Sequence, residues 1–283
     1  MQLVTWNIQW CRGVDGRVDP ARIVDEARAF CDFDVLCLQE VAANFPALKG
    51  SAGEDQFAAF AALLPGYTAV PGIAVDTAAP DGSRRRFGNL ILSRLPVIQA
   101  LRHQLPWPAD PSVRSMPRLL LEATVAAPSG PLRVMTTHLE YYSAVQRAAQ
   151  VEAIRNRHAE ACDHARRDRP LDASGSPFHS QPQAVSAILT GDFNVRPEDP
   201  LHARLTAPFD DAGVPPLDDA WRTLHPSLAQ PPTTGVHDHE QWPEPFACDF
   251  VFVSRDLHGR LRDVGVDLAT QASDHQPMRV ELD

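Results

Sequence analysis

The sequence predicts an α/β fold, and three observations carry that prediction. The N-terminal segment reads as strand, helix, strand. Short apolar runs bounded by turn residues then recur down the chain. Several of these runs end in an acid, an amide or a histidine, which is where ligands gather in α/β sheets. With 283 residues and 44% hydrophobic content the chain can bury a substantial core. One large or two small domains are both allowed at this length, no repeat or low-complexity segment forces a division, and a single domain over residues 1–283 is the expectation taken forward.

Met1 to Ile8 reads as the first strand. Asp19-Pro20 opens a helix, the acid as N-cap and the proline in the first turn, and Ile23, Val24, Ala27 and Phe30 recur at helical spacing. Residues 34–39 form a buried-strand run, and Asp55 to Leu64 a second helix stopped by Pro65-Gly66. Two strands are expected to flank a polar loop over residues 76–87, with Asn89 to Ser93 as the returning strand. Residues 103–117, with Trp107 between two prolines, read as an irregular surface loop. Strands follow at 119–125 and 132–137. The longest helix is predicted over about 144–167, with Val145, Ala148, Val151 and Ile154 as its apolar stripe and Glu152 toward solvent. Residues 169–183, rich in Pro, Ser and His, read as a flexible insertion carrying no chemistry. Residues 185–190 and 250–254 are the last confident strands, the second preceded by a long loop over 226–247.

The formal charge of −10 and pI near 5.5 argue against a nonspecific nucleic-acid coat protein, since such a surface repels polyanions. An acidic site that binds divalent cations still admits a phosphate, because the ions reverse the local field. Lys49 is the only lysine, which reflects genome composition. The five cysteines, Cys11, Cys31, Cys37, Cys162 and Cys248, form no CxxC pair and favour a reducing cytosol. The N-terminus lacks the features of a secretory signal, and a cleaved one would remove Asn7, a candidate site residue. No apolar stretch approaches the roughly 20 residues that span a bilayer, so a soluble, cytoplasmic monomer is expected.

Gly191-Asp192-Phe193-Asn194 follows the run 187–190 and is the most informative motif. Alone it is ordinary turn chemistry. Its company alters that reading: Asn7 ends the first strand, Glu40 the second and His138 the strand 134–137, while Asp249 opens residues 250–253 and Asp274-His275 follows a short C-terminal run. Hard oxygen ligands such as Glu40 and Asp274 suit Mg²⁺ or Mn²⁺. Asp192 suits holding or deprotonating a water, and Asn7 and Asn194 suit orienting that acid and a phosphate. His275, made cationic by Asp249, suits a pentavalent transition state.

In order, Thr5-Trp6-Asn7, Gln39-Glu40, Gly88-Asn89, Thr137-His138-Leu139-Glu140, Gly191-Asp192-Phe193-Asn194, residues 248–254 and Ser273-Asp274-His275 span nearly the whole chain. As an ordered set they resemble the endonuclease/exonuclease/phosphatase family, the metal-dependent phosphoesterases related to DNase I. The resemblance implies a four-layer sandwich of two packed mixed, mainly antiparallel sheets flanked by helices. It implies Glu40 as main metal ligand, Asn7 and Asp274 as supports of that site, and Asp192 as water-activating acid or second metal ligand. Asn194 then orients the phosphate, Asp249 orients His275, and either Asp192 or His275 serves as base. Thr137-His138-Leu139 is similar to the sphingomyelinase, inositol-phosphatase, deadenylase and tyrosyl-DNA phosphodiesterase branches rather than to apurinic-site endonucleases. Asn89, Arg114 and Arg118 complete the candidate substrate contacts.

The run Arg84-Arg85-Arg86 reads as a solvated loop before it reads as a phosphate grip, and Trp221 as core packing, while Trp107 and Trp242 are open to base stacking. The expected activity is hydrolysis of a phosphoester in a nucleic acid, a phospholipid head group or a small phosphorylated molecule, without membrane insertion. The alternative is a noncatalytic binding protein that retains the fold.

Overall fold

The computed structural model describes residues 1–167 and 170–283. Among the described residues, twelve strands form two six-stranded mixed sheets. The first is built from β1 (Gln2–Asn7), β2 (Val35–Ala43), β3 (Thr68–Ala78), β4 (Arg84–Ser93), β11 (Leu261–Val266) and β12 (Met278–Leu282), in the order β11-β12-β1-β2-β4-β3. The second holds β5 (Val97–Gln104), β6 (Leu119–Ala127), β7 (Gly130–His138), β8 (Ala187–Asp192), β9 (Leu217–Asp219) and β10 (Asp249–Ser254), in the order β5-β6-β7-β8-β10-β9.

Among the described residues each sheet has one parallel pair, β1 with β2 and β7 with β8, and the other pairings are antiparallel. Parallel neighbours need a long crossover. Helix α1 (Pro20–Phe30) supplies one and α3 (Ala144–Arg166) the other. Asn7 pairs with Gln39 at the end of the first parallel ladder, and His138 with Asp192 at the end of the second. Both ladders therefore deliver polar side chains at their C-terminal ends.

The layers follow from which face of each strand is apolar. Leu3, Cys37 and Ile91 of the first sheet meet Leu121, Val134, Ile188 and Val251 of the second in the central core. On the outer face of the first sheet, Trp6, Leu36 and Leu90 pack with Ile23 and Ala27 of α1 and Phe60 of α2 (Gln56–Leu63). On the outer face of the second, Met135, Leu189 and Phe252 pack with Val151 and Ile154 of α3 and Leu205 of α4 (Pro200–Thr206). This is a sandwich of helix, sheet, sheet and helix. Asp19 and Asp55 cap α1 and α2, each accepting a bond from the backbone N–H three residues on. The five cysteines are free thiols.

Four expectations need correction. Residues 76–87 are mostly paired strand rather than loop: β3 and β4 continue through them, and Arg84 and Arg86 are tied to Asp76 and Asp55. The inner face of α3 is apolar only in part: Val151 and Ile154 are buried as expected, but Val145 is 62% exposed, and Gln146, Gln150, Arg155 and His158 are buried beside the apolar pair. Those side chains serve backbone groups that loops leave unpaired: Arg155 donates to the carbonyls of Leu205, Ala207 and Pro208, and Gln150 to that of Pro106. Asp274-His275 follows the strand β11, but that run is not the last, because β12 comes after it. Strands β5, β9, β11 and β12, and helices α4 and α5 (Ala220–Leu224), were not anticipated. The proposed insertion begins at Arg169, outside the described residues; residues 170–183 contain neither helix nor strand. Trp221 is half-buried against the central core.

Candidate active site

The two ladder ends converge on one cleft of about 300 Å³, lined in part by Glu40, Arg118, His138, Asp192, Asn194, Asp274 and His275. Each group arrives by a local device. Asn7 ends β1, buried, and its side-chain oxygen accepts the backbone N–H of Gln9. Its amide nitrogen donates to Asp192 Oδ2 at 3.0 Å and lies 3.4 Å from Glu40 Oε1. One amide thus bridges the two sheets.

Glu40 does not end its strand. It sits inside β2 with φ of 61°, where the pairing with β4 shifts register between Leu38 and Val41. A bulge of this kind turns a side chain out of its expected face. Asp192 ends β8 just after Gly191, whose φ is 135° and where a Cβ would lie 1.9 Å from the carbonyl oxygen of Thr137. Only glycine permits β8 to approach β7 so closely. Asp192 Oδ1 then accepts the backbone N–H of Asn194 at 2.9 Å, and the Asn194 amide donates to the carbonyl of Leu139.

His138 stands between the acids, Nε2 at 3.4 Å from Asp192 and Nδ1 at 3.7 Å from Glu40. Burial, with the charges of Arg118 and His275, holds it well below the usual histidine range, so it is neutral near pH 7. His275 behaves oppositely. Burial opposes its charge, but Asp249, 2.8 Å from Nδ1, and Asp274 hold it well above the ordinary value. Thr233 donates to the same Asp249 oxygen at 2.6 Å. Burial, then the charge of Asp274, raises Glu40 to about 7. Burial, then the charge of Asp249, raises Asp192 to about 6. Acids crowded out of water in this way are disposed to take a cation.

The donor chemistry of the cleft fits a hard divalent ion. Glu40, Asp192 and Asp274 offer carboxylate oxygens and Asn7 an amide, the ligand type that suits such ions. Asp192, Cys248 and His275 also bring one ligand atom each within 4.8 Å of the others. That trio suits a hard ion less well, because His275 is engaged by Asp249, and burial, with Asp192 and Asp249 nearby, keeps the Cys248 thiol well above its ordinary value.

Arg118 is buried at the cleft and paired with Glu140 at 3.2 Å. Arg114 is exposed and stacks on Tyr142, 4.5 Å from the ring centroid, so it reaches the rim rather than the lining. Asn89 is not brought to the cleft: it is buried between the sheets, its amide 3.4 Å from the carbonyl of Leu119. Two residues of the cleft carried no sequence signal for their contacts. Gln241 and Trp242, in the long loop before β10, each donate to Asp274 Oδ2 at 3.2 Å.

Comparison with known proteins agrees with the fold. The structure superposes on an endonuclease/exonuclease/phosphatase from Beutenbergia cavernae with a TM-score of 0.67 and 26% identity, over 100% of this chain and 71% of that one. A mannosyl-6-phosphatase from Bacteroides thetaiotaomicron gives 0.65 at 19% identity, over 100% and 99%. A 3′ phosphatase from Neisseria, bound to product DNA hairpin, gives 0.60 at 21% identity, again over 100% and 99%. The last two likenesses are of fold alone. No curated protein matches the sequence. Residues 4–275 match the Endonuclease/Exonuclease/phosphatase family, whose phosphoesterase fold the two sheets reproduce, and the chain belongs to that family.

Proposed function

We propose that this protein is a Mg²⁺- or Mn²⁺-dependent phosphodiesterase in which Asp192 activates a water for in-line attack on phosphorus. The observation that carries the reading is the clamp on Asp192. Its two oxygens are separately engaged, Oδ2 by Asn7 and Oδ1 by the backbone N–H of Asn194, while His138 and His275 flank it at 3.4 and 3.8 Å. An acid so fixed, with its carboxyl raised to about 6, is oriented and basic enough to accept a proton.

Glu40 and Asp274, supported by Asn7, would hold the metal ion. When bound, it supplies a Lewis acid that neutralises charge developing on a phosphate oxygen. The remaining roles belong to the chain. His275, charged through Asp249, has no vacancy for a proton and instead offers positive charge to the transition state, which leaves Asp192 as the base. Neutral His138 and the Asn194 side chain orient the nonbridging oxygens. Arg118 supports one wall of the cleft through Glu140. The free thiols support a reducing, cytoplasmic setting.

The test is a substrate panel with Mg²⁺, Mn²⁺ and chelator: DNA, RNA, sphingomyelin, inositol phosphates and 5′-tyrosyl DNA, with bis(p-nitrophenyl) phosphate as a generic diester. Metal-dependent release from at least one diester is expected. Hydrolysis of none, with a melting temperature indifferent to both metals, would identify a binding protein that merely keeps the fold.

A further inference from the structure

Asp274 is held by donors that come from outside the strands on either side of it. Gln241 Nε2 and Trp242 Nε1, both from the long loop before β10, donate to its Oδ2 at 3.2 Å. A carboxylate oxygen offers two lone-pair positions, so these two bonds fill Oδ2. The Ser273 hydroxyl lies 3.3 Å from Oδ1, but its single hydrogen is better placed on the Asn7 carbonyl at 2.8 Å. Among the described residues, Oδ1 is therefore the oxygen left for a cation.

Each donor is itself held. The Trp242 ring sits edge-on to Tyr141 at 5.9 Å and to Phe246 at 5.6 Å. An amide such as Gln241 can present either end to Asp274, and a chain of hydrogen bonds decides which. Arg12 can only donate, and its Nη1 lies 3.2 Å from Gln9 Oε1. Gln9 Nε2 is then the end that donates to Gln241 Oε1 at 3.3 Å, which turns Gln241 Nε2 toward Asp274.

The chain starts on a strained segment. Gln9, Trp10 and Cys11 have φ of 43°, 45° and 63°, three consecutive left-handed residues without a glycine. Such backbone is costly for a residue with a Cβ and persists only where neighbours fix it. Buried Gln56 does so here, donating to the Trp10 carbonyl at 2.7 Å. The same turn brings the Gln9 N–H to Asn7 Oδ1 at 3.2 Å, so it supports Asn7 as well as Asp274.

We propose that Arg12, Gln9 and Gln241, together with Trp242, are positioning residues for Asp274: they lock Oδ2 and so present Oδ1 to the divalent ion. This rests on the metal-dependent reading of the cleft, and it makes the loop before β10 a determinant of metal affinity.

Calorimetric titration of the metal-free protein with Mn²⁺ tests the relay. Gln241→Met and Trp242→Phe each remove one N–H and keep most of the side chain, and each should weaken Mn²⁺ binding by about tenfold. Gln9→Met, whose side chain touches neither Asp274 nor the ion, should weaken it by about threefold. Combined with Gln241→Met it should add nothing, because the relay is already cut. With bis(p-nitrophenyl) phosphate, the loss should appear in the Mn²⁺ concentration for half-maximal rate, while kcat at saturating Mn²⁺ falls by less than about threefold. Wild-type Mn²⁺ affinity in the variants, or full additivity of Gln9→Met and Gln241→Met, overturns the relay. Tighter binding overturns it too, since the two donors would then occupy an oxygen that the ion needs. If one loop variant folds poorly, the other reads the same oxygen. A wild type that takes up no Mn²⁺ refutes the metal site and the relay together. Uptake that the variants weaken, with no diester hydrolysed, refutes the phosphodiesterase reading and leaves the relay standing.

Discussion

Asp249 illustrates how much one carboxylate decides. Its Oδ2 takes bonds from both Thr233 and His275, and it stands beside Asp192 in the same buried neighbourhood. The pair has a definite pH consequence. Because Asp249 keeps His275 charged, activity should decline on the alkaline side as that charge is lost. In Asp249→Asn the decline should move to lower pH, with kcat reduced by about 100-fold; an unmoved alkaline limb would show that His275 charge is irrelevant. Glu40 makes a stability prediction in the metal-free protein. Its carboxyl titrates near 7 folded against 4.5 ordinarily, so the folded state retains a proton that the unfolded state has released. The stability this provides is full below about 4.5 and lost as pH rises through about 7. Between those values Glu40→Gln should escape a loss on the order of 2 kcal/mol that the wild type suffers, measured by urea unfolding at a series of pH values with chelator. Parallel pH profiles for the two proteins would contradict the assignment.

At the scale of elements, the site depends on how closely β7 and β8 approach. Gly191→Ala would place a methyl against the Thr137 carbonyl, so the sheet must part where His138 and Asp192 emerge. A loss of more than about 2 kcal/mol in stability is expected together with a large fall in turnover. A well-folded, fully active Gly191→Ala would show that the approach is not required. Helix α3 makes a different prediction. Beneath it Arg133 joins Glu122, His158 and the carbonyl of Ala184 in a buried network. Arg133→Met leaves Glu122 with a single partner, His103, and should cost about 3 kcal/mol, while the folded fraction keeps its kcat.

These elements also explain what the sequence could disclose. Strands ending in Asn7, His138 and Asp192 were readable because their apolar runs are short and uniform, and Asp19 and Asp55 announced their helices as caps. The Glu40 bulge was not, since nothing local in residues 35–43 marks the residue at which register shifts. Nor were the buried Gln150 and Arg155 of α3, whose partners are backbone groups more than forty residues away in sequence. The motif at Asn89 was legible as a motif, but its side chain turns to the neighbouring sheet.

The whole molecule is two sheets, each carrying one parallel pair, pressed together so that both crossover ends meet in one cleft. The acids presented from both sides raise one another's carboxyls, a repulsion that a shared cation would relieve. Mg²⁺ or Mn²⁺ should therefore raise the melting temperature, and by more near pH 7.5 than near pH 5, where Glu40 and Asp192 hold protons. No helix among the described residues is long and apolar enough to cross a membrane. The measurement that tests the central claim most directly is steady-state hydrolysis of bis(p-nitrophenyl) phosphate by wild type and Asp192→Asn, with Mn²⁺ and with chelator, the fold of each confirmed by circular dichroism. Turnover that needs the metal and falls by about 10³-fold or more in the variant is the predicted result. Hydrolysis that persists in chelator, or in a folded Asp192→Asn, would contradict it.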